Sequence, residues 1–138
     1  MIAVDTSAII AVALAEPEAE ELKTILRQEI LLIGWPTLFE TRIVLATKGF
    51  SNARDIVSRL ADASNVTAVM FDEKHYTAAE NAFDRFGKGR HPAALNMGDC
   101  FSYAVAAVAE AALLFKGQDF GRTDILCHPG STIHTSGG

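Results

Sequence analysis

The chain has 138 residues, of which 49% are hydrophobic and 21% charged, a balance that predicts one globular domain with a real core. Its net charge of −5 excludes a protein that coats nucleic acid nonspecifically, but not an enzyme that keeps its acids in one pocket and meets phosphates with a few local cations. Cys100 and Cys127 form no zinc-type spacing and His75, His91, His128 and His134 lack close pairing, so zinc is not expected and the thiols read as free.

Ile2–Asp5 reads as a short strand with a polar end, and Ser7–Leu14 as the helix after it. This start is not a signal peptide, because no Lys or Arg precedes its apolar run and Asp5 and Glu16 interrupt it, so a cytoplasmic address is expected. Pro17–Gln28 is a second helix with Glu18, Glu20 and Glu21 early, where the helix dipole favours them. Ile30–Ile33 is an apolar, β-branched strand closed by Trp35-Pro36. Thr37–Lys48 is a helix ended by Gly49, with Thr37-x-x-Glu40 as its capping box. Ser51–Ala63 forms another helix, Val66–Phe71 a third strand, and Asp72 caps a helix running to about Phe86. A loop over 87–92 leads to the long apolar helix Met97–Glu110. Ala112–Phe115 is a strand, Ile125–Cys127 a candidate last strand, and 129–138 a flexible tail after a domain spanning 1–128. Glu110 splits the alanine-rich apolar run, so no membrane span is expected.

Apolar strands alternating with helices predict an α/β fold with a central parallel sheet flanked by helices on both faces. Ligands of such sheets bind beyond the carboxyl ends of the strands. Four acids fall on that edge: Asp5 after the first strand, Glu40 early in the helix after the second, Asp99 at the start of the apolar helix, and Asp119 after strand Ala112–Phe115. Each has a plain structural alternative. Asp5 suits a helix cap, Glu40 belongs to a capping box, Asn96 and Asp99 form another cap, and Asp119 sits in a polar loop with Asp124 as a competitor. Capping does not require all four to converge on one edge. Carboxylates sharing a pocket repel one another, and a hard divalent cation such as Mg²⁺ or Mn²⁺ offsets that repulsion. A cation held this way can activate water for attack on phosphorus.

These residues resemble the PIN domain, and within it the VapC-type toxins of bacterial toxin–antitoxin pairs. The resemblance rests on Val4-Asp5-Thr6-Ser7-Ala8, on Glu40 in Pro36-Thr37-Leu38-Phe39-Glu40-Thr41, on the stretch from Gly89 through Asn96-Met97-Gly98-Asp99-Cys100 to Ala104, and on Leu113–Phe120 with Thr123-Asp124-Ile125. It implies Mg²⁺- or Mn²⁺-dependent endonucleolytic cleavage of RNA, with Asp5 and Asp99 as chief metal ligands and Glu40 and Asp119 completing the quartet. Thr6 or Ser7 would position a water or phosphate, with Asn96 and Asp124 in support. A homodimer and a cognate antitoxin covering the site are implied as well. Gln118 departs from the pattern, since similar toxins often carry a second acid there. The basic candidates for RNA contact are Lys88, Arg90, His91, Lys116 and Arg122. Two other readings compete: a receiver-like signalling module, which normally needs an acidic pair after the first strand and an Asp after the third, and a PIN-like binding domain that no longer cuts.

Overall fold

Every strand of the computed structural model, which describes residues 1–131, runs parallel to its neighbours in the order β3-β2-β1-β4. β1 is Ile2–Val4, β2 Leu31–Gly34, β3 Val66–Val69 and β4 Ala112–Leu114. The register pairs Ile2 with both Leu31 and Ala112, and Leu31 with Val66. Successive strand residues point to opposite faces, and here both faces are buried. Ala3, Leu32, Leu113 and Phe115 pack into one apolar cluster; Ile2, Val4, Leu31, Ile33 and Leu114 pack into a second.

Six helices cover the two faces: α1 Thr6–Ala13, α2 Ala19–Gln28, α3 Trp35–Thr47, α4 Ala53–Asp62, α5 Glu73–Phe86 and α6 Met97–Ala109. Tyr103, Val105 and Ala106 of α6 share the first cluster with Ala82 and Phe86 of α5. Ala8 and Ile9 of α1, Leu22 of α2 and Leu38 of α3 belong to the second. A smaller third cluster of Ile10, Leu45 and Ala53 ties α1 to the α3–α4 hairpin. Residues such as Leu38, Leu113 and Phe115 are fully buried, each contributing about 1.5–3 kcal/mol of apolar burial.

The structure corrects two boundaries. Trp35-Pro36 does not close β2; it opens α3, because Pro is at home in a helix's first turn, where no amide partner is missed. The expected last strand shrinks to one bridge between Leu113 and Cys127. Within the segment after residue 128, the Ser131 hydroxyl donates to Leu113 O (3.1 Å) and accepts from Phe115 N (3.2 Å). The remaining tail residues, 132–138, lie outside the described residues. Among the described residues no helix is long and apolar enough to cross a membrane.

Candidate active site at the carboxyl edge of the sheet

β1 ends one residue before Asp5, whose carboxylate caps α1 by accepting from Ser7 N (3.0 Å). Its other oxygen accepts a 2.5 Å bond from Ser102 Oγ of α6, in a buried setting. Capping and site membership are therefore not alternatives at Asp5. The strand end brings the group to the carboxyl edge of the sheet, and the cap locks its orientation.

Glu40 is a different case. Since α3 begins at Trp35 with Gly34 as its cap, Thr37 lies inside the helix and the expected Thr37–Glu40 capping box does not form. Thr37 is buried; its carbonyl accepts from Thr41 Oγ1 (2.8 Å). Glu40, freed from capping, takes a 2.6 Å bond from Thr6 Oγ1 at the start of α1. Partial burial pushes its pKa up, the Thr6 bond opposes the rise, and the Asp5 charge adds to it.

Asp99 forms the expected capping box with Asn96: Asp99 N donates to Asn96 Oδ1 (2.9 Å) and Asn96 N to Asp99 Oδ2 (3.0 Å). Its pKa is nonetheless pushed up to about 7. Desolvation is the main cause, the Asn96 amide bond resists it, and the charges of Asp5, Asp119 and Glu40 reinforce it. Gly98 explains how Asp99 and Glu40 come so close. It lies in the first turn of α6, and a Cβ there would collide with the Glu40 carboxylate.

Asp5, Thr6, Ser7, Glu40 and Asp99 thus line one pocket, together with Glu16, Lys116 and Gly117. Asp119 is exposed, one residue before a 3-10 turn over Phe120–Arg122, and close enough for Asp99 to feel its charge. Among the described residues no three acids, histidines or cysteines are gathered into a finished metal cage; their oxygens are turned to Thr6, Ser7, Ser102 and Asn96 N. The donor set still suits a hard cation, being all oxygen and carrying more negative charge than its surroundings relieve.

Other candidates fall elsewhere. Asp124 accepts from Tyr103 Oη (2.7 Å) and pairs with Arg85 (3.0 Å), and these partners lower its pKa. It fastens the last loop to α5 and α6 and does not line the pocket. Of the basic candidates only Lys116 does. Arg90 lies over the Phe83 ring, His91 Nδ1 accepts from Ala93 N, Arg122 donates to Pro92 O, and Lys88 is exposed in the loop before α6. Two contributors were missed in the sequence, Gly98 and Ser102. Ser102 was detectable as a hydroxyl one turn after Asp99 on an otherwise apolar helix; Gly98 carried no signal beyond being glycine in a helix.

Fold and pocket together define a class: a parallel α/β domain that gathers carboxylates from β1, α3 and α6 at the strands' carboxyl ends. The chain belongs to the PIN-domain family, whose model matches residues 2–126. A ribonuclease VapC of Mycolicibacterium smegmatis is 41% identical over 124 residues, spanning 88% of this chain and 95% of the relative. Ribonuclease VapC30 of Mycobacterium tuberculosis is 39% identical over 125 residues, spanning 88% and 94%. The fold is that of Mycobacterium tuberculosis VapC20, a sarcin–ricin-loop-cleaving toxin (TM-score 0.76, 16% identity, 91% and 97% covered). It is also that of a toxin–antitoxin complex from Klebsiella pneumoniae (TM-score 0.65, 15% identity, 98% and 97% covered). A receiver-like module is not favoured by these likenesses.

Proposed function

We propose that this chain is a divalent-metal-dependent endoribonuclease that serves as the toxin of a toxin–antitoxin pair in the cytoplasm. The observation that carries the reading is the convergence of Asp5, Glu40 and Asp99 on one pocket, with Asp99's pKa raised to about 7 by burial and like charge. Such a group favours either a proton or a cation, and Mg²⁺ (Mn²⁺ as substitute) is the cation whose ligand preference matches. Asp5 and Asp99 would hold it, with Glu40 and Asp119 as second-site groups. When bound, the ion supplies Lewis acidity toward a phosphodiester and an activated water.

The chain's own residues do the positioning. Ser102 and the Ser7 amide fix both oxygens of Asp5. Thr6 orients Glu40 from a neighbouring helix. Asn96 holds Asp99 at the first turn of α6, where the free amides favour negative charge. Lys116 is the one cationic side chain among the pocket's lining residues, and it would meet a phosphate there.

An antitoxin and a second copy of the chain are the protein partners of this reading. The α3–α4 hairpin supports it with a groove of about 690 Å³ lined by Leu38, Phe39, Ile43, Val57 and the cations Arg42 and Arg54. The test is expression alone and beside the adjacent small open reading frame. Growth arrest relieved by the neighbour, through a stable complex on purification, is expected. A well-expressed chain that is harmless and captured by no neighbouring product would refute the toxin role.

A further inference from the structure

Lys116 is fastened at two places. Its amide donates to Ser7 Oγ (3.0 Å), beside the amide that caps Asp5. Its ammonium lies between the carboxylates of Glu16 and Glu18. Those two acids belong to the connection after α1, where Ala15 takes a positive φ of 51° and Glu16 N closes the turn on Ala11 O. The trio is sheltered, with Lys116 19%, Glu16 28% and Glu18 11% exposed at the side chain. It is also unbalanced, two negative charges facing one positive. Glu16 and Lys116 line the same pocket as Asp5, Glu40 and Asp99.

We propose that Lys116 is a substrate-phosphate ligand held in reserve, with Glu16 and Glu18 occupying its ammonium in the free protein and yielding it to an RNA phosphate. The inference rests on the ribonuclease reading and adds Glu16 and Glu18 as internal competitors that set affinity. A flexible stem with three donors lets Lys116 exchange one anion for another while its main chain stays on Ser7. The second carboxylate is what makes the exchange tunable. Removing it leaves the ammonium one partner and lowers the cost of leaving.

The test is binding of a short, mixed-sequence, fluorescent single-stranded RNA in an Asp5→Asn background, so that cleavage does not intrude. Glu18→Gln should tighten binding several-fold. Lys116→Met should weaken it several-fold and reduce the salt dependence by about 0.7, the share of one phosphate contact. In the double variant the gain from Glu18→Gln should vanish. That separates a released ammonium from a general loss of negative charge. Glu20→Gln, the same charge change on an 88% exposed side chain, should leave binding unchanged. Thermal melts confirm folding, and Lys116→Arg should restore binding if Lys116→Met weakens the fold. If Glu18→Gln does not tighten binding, or tightens it equally without Lys116, the proposal is wrong although the chain still cuts RNA. If the unmodified chain neither binds nor cuts RNA, the ribonuclease reading falls, and this proposal with it.

Discussion

At Asp99 a cap and a charged pocket meet in one carboxyl group. The Asn96 amide favours its ionised form, while burial and the charges of Asp5, Asp119 and Glu40 disfavour it more, so the folded protein holds a proton there up to about pH 7. An unfolded Asp releases its proton near pH 4 (about 3.9). Between those values the folded state binds more protons than the unfolded one, so its stability declines as pH rises from about 4 to about 7. Metal-free protein should therefore melt at a lower temperature at pH 7 than at pH 5.5 on account of this group. Asp99→Asn should flatten that slope. Melting curves across the range in excess chelator check it; an unchanged slope in Asp99→Asn would place the titration elsewhere.

The contact between α3 and α6 shows which parts of the site were legible in the sequence. The strand-then-helix rhythm located Asp5, Asp99 and the sheet edge, because apolar runs and helix caps are local signals. The environment of Glu40 was not legible. Thr37-x-x-Glu40 fits a capping box, but Pro36 sets the helix start two residues earlier and turns Thr37 and Glu40 inward. The surroundings of Asp124 were not legible for a similar reason, since its partners Tyr103 and Arg85 come from helices distant in sequence. Gly98→Ala tests the contact. The atoms nearest an added methyl all belong to the end of the flexible Glu40 side chain, and alanine gains up to about 1 kcal/mol in helix propensity. The variant should fold at least as stably as the parent while cutting RNA more slowly. Glu40→Gln should behave alike, with melting preserved and rate lost. A drop in melting temperature with the rate intact would return Glu40 to a purely structural role.

Over the whole molecule, a four-stranded parallel sheet with both faces buried leaves its carboxyl edge as the place where the first turns of α1 and α6 meet the second turn of α3. Like charges gathered there oppose folding until a counter-ion arrives. Mg²⁺ should therefore raise the melting temperature of metal-free protein. Occupancy at ~100 times the dissociation constant corresponds to about 2.7 kcal/mol, and the gain should disappear in Asp5→Asn. The same shift in that variant would point to a different binding site.

The most direct test of the central claim is cleavage of an end-labelled RNA pool by highly purified protein, with Mg²⁺, with Mn²⁺ and with excess EDTA, beside Asp5→Asn and Asp99→Asn. The acidic pocket predicts discrete internal cuts with either ion, none in EDTA, and little or none from the two folded variants. Full activity in EDTA, or parental rates from both variants, would contradict a metal-dependent reaction at this site.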